Sequence, residues 1–132
     1  MKKILVIDDD KNTVAALTAR LNAAGYKIMA AVDGLEGLKL AISNRPDLII
    51  MDVWMPGGVG LLIAERLKAL GLADVPVIFL TASHKSELWE LAKQVEPAGF
   101  FEKPYDPKQL LAAIRCALTE GPSEAASATV AA

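Results

Sequence analysis

Residues 4–10 read ILVIDDD, four apolar side chains from Ile4 to Ile7 closed by three acids, Asp8, Asp9 and Asp10. A strand with one wet face alternates polar and apolar residues, so a short run without a polar member is a strand covered on both faces. The same pattern returns at Leu48 to Met51, at Val77 to Leu80 and more briefly at Phe100 to Phe101, with a weaker strand at Lys27 to Val32 after the helix-stopping Gly25. Helical periods lie between: Val14, Leu17 and Leu21; Leu35, Leu38 and Ile42; Leu62, Ala64, Leu67 and Leu70; and a fourth helix over Ser86 to Val95. A fifth opens at Asp106, Pro107 and Gln109, where Asp suits the cap, Pro the first helical position and Gln a capping box, and its stripe is Leu110, Leu111, Ile114, Ala117 and Leu118. Apolar strands alternating with amphipathic helices predict a parallel sheet, covered on both faces and joined by right-handed crossovers: a doubly wound α/β sandwich of five strands and five helices.

The 132 residues are 53% hydrophobic, 23% charged and 5% aromatic, a composition for one domain with its own core and no need of disulfides or a structural metal. The lone Cys116 agrees, and is read as a core or half-buried helix position. Fourteen basic residues against sixteen acidic ones, net −2, remove the usual electrostatic basis for nucleic-acid binding. Met1-Lys2-Lys3 resembles the start of a signal peptide, but the apolar run is too short and ends in acids; export is not expected, and the cytoplasm is. No apolar stretch approaches the roughly 20 residues that span a bilayer. The domain is expected over residues 1–118, and residues 119–132, TEGPSEAASATVAA, read as a flexible tail or linker stub.

In such a sandwich the functional crevice lies beyond the carboxyl ends of the strands. Asp8, Asp9 and Asp10 follow the first strand, Asp52 the third, Thr81 with Ala82 and Ser83 the fourth, and Lys103-Pro104 the fifth. One acid at a helix start is explained by the helix dipole. Three, with Asp52 from a neighbouring strand, need more: two carboxylates about 5 Å apart repel by roughly 3 kcal/mol at an effective dielectric near 20. A divalent cation relieves that, and oxygen ligands without His or Cys point to Mg²⁺ or a similar hard ion. Lys103 aims an ammonium into the same crevice, where it can pair with Asp52, either as a plain ion pair or as a ligand for an anion. Thr81 adds a hydroxyl, as a loop cap or as a ligand. Carboxylate, hard metal, ammonium and hydroxyl together suit a tetrahedral oxyanion, and a carboxylate can accept phosphoryl as an aspartyl phosphate.

ILVIDDD at residues 4–10, DVWMPGGVG at 52–60, TAS at 81–83 and FFEKPY at 100–105 together resemble the receiver domain of two-component response regulators, over about residues 2–118. The resemblance implies a flavodoxin-like fold with strand order 2-1-3-4-5, and a chain similar in extent to single-domain chemotaxis regulators. It implies that Asp52 takes phosphoryl from a phosphohistidine of a sensor kinase or phosphotransfer protein. Asp9 would bind Mg²⁺ (or Mn²⁺) directly, Asp8 through a bound water, and Trp54 through its backbone carbonyl. Lys103 would contact the phosphoryl group, the Thr81 hydroxyl would move toward it, and Phe100 would turn inward behind. The face of the fourth helix, fifth strand and fifth helix would then repack and dock a downstream protein, with neither nucleic acid nor membrane as a direct partner. On this reading the chain is a phospho-acceptor, not an enzyme, that promotes its own phosphorylation and slow dephosphorylation.

Some residues depart from the family pattern. Val59 stands where a polar residue is common, Gly57-Gly58 loosen that loop, Glu96-Pro97 replace the Gly-Ala turn after the fourth helix, and Phe100 lacks a tyrosine hydroxyl. PGGVG is no phosphate loop, since Leu61 and Leu62 follow where Lys and Ser/Thr are required. His84 reads as a solvated residue at a helix start, and Trp89 as packing or partner surface. The enzyme alternative is a Mg²⁺-dependent phosphohydrolase of haloacid dehalogenase type. Asp8 and Asp10 have its spacing, but Asn12 occupies the last place of its DxDx(T/V) motif. A flavodoxin-like FMN carrier is the binding-module alternative, and there three acids would repel the cofactor phosphate.

Overall fold

The computed structural model describes residues 1–55, 58–82, 89–90 and 92–120, those at 54–55, 58–59 and 120 by backbone alone. The strands are β1 (Lys3–Ile7), β2 (Lys27–Ala31), β3 (Leu48–Asp52), β4 (Trp54–Met55), β5 (Gly58–Val59), β6 (Val77–Thr81) and β7 (Gly99–Glu102). Five of them form one parallel sheet in the order β2-β1-β3-β6-β7, and β4 pairs with β5 in an antiparallel hairpin of its own. Setting that hairpin aside, the order is the expected 2-1-3-4-5. β1 lies between β2 and β3 with Ile4 opposite Ile28 and Leu48, and β3 meets β6 with Asp52 opposite Leu80.

Ile4 to Ile7 and Leu48 to Met51 are at most 1% exposed, which explains why neither run carries a polar residue. Fully burying each such side chain contributes about 1.5–3 kcal/mol. Their alternation feeds two cores. Ile4, Val6, Leu48, Ile50, Ile78 and Leu80 join one face, and Leu5, Ile7, Ile49, Met51 and Phe79 the other.

Among the described residues there are four helices: α1 (Lys11–Ala23), α2 (Gly34–Asn44), α3 (Gly60–Leu67) and α4 (Pro107–Glu120). The Asp10 carboxylate caps α1 by accepting from the Asn12 amide at 2.9 Å, and Asp33 caps α2 through the Glu36 amide at 2.8 Å. Asp106 accepts from the Lys108 amide at 2.9 Å, with Pro107 first in α4 as expected. Leu17 and Leu21 of α1, with Leu110, Ile114 and Ala117 of α4, fill the core on one face of the sheet. Cys116 is half-buried on α4. The fourth helix expected over Ser86 to Val95 falls largely outside the described residues, as do Ser83, His84, Gly57 and the tail from residue 121. Trp89, Glu90 and Ala92 are helical, a 3-10 turn runs over Lys93–Val95, and Glu96 ends it at φ 51°.

Two expected stripes are corrected. On α2, Leu35 and Ile42 are 58% and 52% exposed, and the sheet-facing residues are Gly34, Gly37 and Ala41, with Leu38 partly buried. A Cβ at Gly37 would run into the Ile7 side chain, so α2 sits closer to β1 than a leucine stripe permits. On α3, Leu62 and Leu70 are exposed while Leu61, Ile63, Ala64 and Leu67 are buried. That helix continues into a π-helical turn, Lys68–Leu72, broken by Gly71 at φ 91°. The β4–β5 hairpin has no counterpart in the apolar pattern of the sequence.

Candidate functional site

Asp8 follows β1, Asp52 ends β3, Thr81 ends β6 and Lys103 follows β7, so the carboxyl ends of four neighbouring strands assemble one crevice. Asp8 and Thr81 are each 1% exposed and Asp52 8%, whereas Asp9 faces solvent. One carboxylate oxygen from each of Asp8, Asp9 and Asp52 lies within 4.8 Å of the other two. This donor set, all hard oxygen and formally −3, fits a hard divalent cation.

Lys103 reaches into that cluster. Its Nζ donates to Asp8 Oδ2 at 2.9 Å and to Asp52 Oδ2 at 3.4 Å, so Asp8, not Asp52, is its nearer partner. Burial works against the ammonium, but the hydrogen bond and charge of Asp8, joined by Asp52, outweigh it and hold the Lys103 pKa above the ordinary lysine value. The peptide bond from Lys103 to Pro104 is cis. The second Asp8 oxygen, Oδ1, accepts from the Asp10 amide at 2.9 Å. Asp10 itself is turned away. Its exposed carboxylate accepts from the Thr13 hydroxyl, and from the Asn12 amide as helix cap, and these bonds lower its pKa. The helix-dipole explanation thus suffices for Asp10, and the crevice draws on Asp8, Asp9 and Asp52.

The Asp52 end of β3 is held by its neighbours. The Val53 amide donates to the Leu80 carbonyl at 3.2 Å, and the Gly60 amide to the Val53 carbonyl at 2.7 Å. A Cβ at Gly60 would collide with the Asp52 carbonyl oxygen, so only glycine lets α3 start this close to the acid. In the sequence this role leaves no signal beyond a glycine eight positions after Asp52. The Trp54 backbone lies in β4, opposite Val59, and the Trp54 and Val59 side chains are outside the described residues. Phe100, 4% exposed, packs between Phe79 at 6.4 Å and Trp89 at 5.5 Å between ring centroids.

The family model for the response regulator receiver domain matches residues 4–115. This chain belongs to that family. The receiver is 33% identical over 117 residues to the alkaline phosphatase synthesis transcriptional regulatory protein PhoP of Bacillus subtilis, covering 89% of this chain and 48% of the relative. It is 34% identical over 124 residues to the DNA-binding dual master transcriptional regulator RpaA of Synechocystis, covering 89% and 49%. The receiver therefore spans about half the length of the curated relatives it matches. Among solved structures, the chemotaxis protein CheY4 of Vibrio cholerae superposes with TM-score 0.81 at 31% identity, over 87% of this chain and 97% of that one. A putative response regulator from Chloroflexus aurantiacus gives 0.85 at 27%, over 90% and 98%. The receiver is thus a module of two-component phosphorelay signal transduction. No helix among its described residues is long and apolar enough to cross a membrane.

Proposed function

We propose that the receiver takes a phosphoryl group onto Asp52 from a phosphohistidine of a sensor kinase or phosphotransfer protein. The observation that carries this reading is the placement of two buried carboxylates, Asp8 and Asp52, within 4.8 Å of each other and of exposed Asp9, with one ammonium set against both. An Asp52 carboxylate oxygen forms the bond to phosphorus as the phosphorus–nitrogen bond breaks, and the electron pair leaves on the imidazole. Asp8, Asp9 and Asp52, with the Trp54 carbonyl, would hold Mg²⁺ or Mn²⁺, which supplies positive charge against the acids and the phosphoryl oxygens. Lys103 contributes a second positive charge, and exchanges part of its contact with Asp8 and Asp52 for one with the new group. Thr81, at the adjoining strand end, offers its hydroxyl to the same oxygens, and Phe100 lies behind it on the neighbouring strand.

The receiver acts as a phospho-acceptor that promotes its own phosphorylation and slow dephosphorylation, not as an enzyme turning over an external substrate. Its output is a protein docked on the face built by the segment around Trp89, β7 and α4, while residues 121–132, after that helix, serve as tail or linker. The slightly acidic charge balance supports a protein contact rather than a nucleic-acid one for the receiver itself.

Incubation with acetyl phosphate and Mg²⁺ followed by intact mass tests the chemistry. The expected result is a hydroxylamine-sensitive gain of one phosphoryl group that disappears in Asp52→Asn. A stable gain, or one that survives in Asp52→Asn, would refute it.

A further inference from the structure

Phe79 of β6 and Phe100 of β7 are register partners, and Thr81 stands two residues beyond Phe79, so all three side chains leave the same face of the sheet. The Phe79 and Phe100 rings are 6.4 Å apart and tilted by 59°; Phe100 and Trp89 are 5.5 Å apart and tilted by 56°. Thr81, Phe79 and Phe100 are buried, and Trp89 is half-buried. A packed aromatic row thus runs from Phe79, two residues before Thr81 on the same strand face, through Phe100 to Trp89, its most exposed member. Outside it, Lys93 Nζ lies 5.6 Å from the indole and pairs with Glu90 at 2.9 Å.

We propose that Trp89 is a positioning residue for the switch, and that its indole, not the Phe100 ring, is the surface group that moves when Asp52 is phosphorylated. This rests on the reading of Asp52 as acceptor. Asp52 lies on β3, on the side of β6 away from β7. A phosphoryl group there draws the Thr81 hydroxyl toward β3 and opens space on the β7 side. Close-packed interiors do not keep such space empty, so Phe100 shifts inward and the indole follows it. Trp89 then sinks away from solvent and from Lys93. By reciprocity, removing the indole must weaken whatever drives the shift.

The test uses Trp54→Phe, in which Trp89 is the sole tryptophan, with beryllofluoride and Mg²⁺ standing in for the phosphoryl group. Beryllofluoride is expected to shift Trp89 emission to the blue and reduce its quenching by acrylamide, where Mg²⁺ alone does neither; adding Thr81→Ala should abolish both effects. Trp89→Ala is expected to weaken beryllofluoride binding by about two- to tenfold, the range of an aromatic pair, and Trp89→Phe to restore most of it. Mg²⁺ affinity stays unchanged in both, which a merely unfolded or loosened protein would not show. If acetyl phosphate phosphorylates Asp52 but Trp89 emission and beryllofluoride affinity do not respond, the role of Trp89 is overturned and the acceptor reading stands. If no phosphoryl group is gained, both fall.

Discussion

Replacing Lys103 by Met keeps the aliphatic stem and deletes an ammonium set against two buried acids. Its Nζ sits 2.9 Å from Asp8 and 3.4 Å from Asp52, on a side chain 17% exposed. Without it, carboxylate oxygens within 4.8 Å of one another lose that ammonium, and each pair repels by about 3.5 kcal/mol at an effective dielectric near 20. Breaking a buried ion pair from one side typically costs about 3–5 kcal/mol. Partial exposure of Lys103 and relaxation of exposed Asp9 reduce this, so we expect Lys103→Met to lose about 2–4 kcal/mol in EDTA at neutral pH. For a domain of this size that is a fall in Tm of roughly 8–16 °C. Saturating Mg²⁺ replaces the missing charge, so it should raise the Tm of the variant by more than that of the wild type. Asp8→Asn in the Lys103→Met background should recover part of the loss, because it removes the acid left unpaired. The assay is thermal and urea unfolding of the four proteins, with EDTA and with Mg²⁺. A Lys103→Met protein as stable as wild type in EDTA, or an equal Mg²⁺ gain in both, would refute the electrostatic account.

Four further outcomes are expected. Mg²⁺ at a hundred times its Kd should stabilise the wild type by about 2.7 kcal/mol, and Asp9→Asn should be more stable without metal yet gain less from it; equal shifts in calorimetry would exclude Asp9 as a ligand. Gly60→Ala should cost on the order of 2 kcal/mol and slow phosphorylation by acetyl phosphate, since its methyl meets the Asp52 carbonyl; unaltered stability would show that α3 can back away. The Lys103 contribution is fully present below pH 10.5 and fades as pH rises through its raised pKa, and burial of Tyr105 adds a loss above pH 10.0, so denaturation midpoints should fall on the alkaline side and fall less in Lys103→Met. Mg²⁺ should change tryptophan emission in wild type and Trp89→Phe but not in Trp54→Phe, and Trp54→Ala should shorten the aspartyl-phosphate lifetime; an unchanged or longer lifetime would place the indole away from the site.

Wholly apolar runs made β1, β3 and β6 legible, because a strand covered on both faces has no position where a polar residue is tolerated. The strand ends were legible for the same reason, since Asp8, Asp52 and Thr81 are where the apolar pattern stops. The faces of α2 and α3 were not. Counting large apolar residues selected Leu35, Ile42, Leu62 and Leu70, which are exposed, because close approach of α2 to the sheet is made by Gly37 and Ala41, residues that carry little weight in such a count, whereas Ala64 and Leu67 of the α3 stripe are buried as expected. Lys103 was placed in the crevice, yet its preference for Asp8 depends on side-chain reach between positions 95 apart in the chain. No periodicity encodes that.

The sheet separates two cores: among the described residues α1 and α4 cover one side, α2 and α3 the other. The row from Phe79 to Trp89 belongs entirely to the second side. Substitutions at Leu17, Leu21, Leu110 or Ile114 are a full sheet thickness from that row, and energetic effects at such separation are close to additive. Lineages carrying this module can therefore adjust its melting behaviour to a new habitat through Leu17 and Leu21 of α1, which belong neither to that row nor to the proposed docking face of the Trp89 segment, β7 and α4.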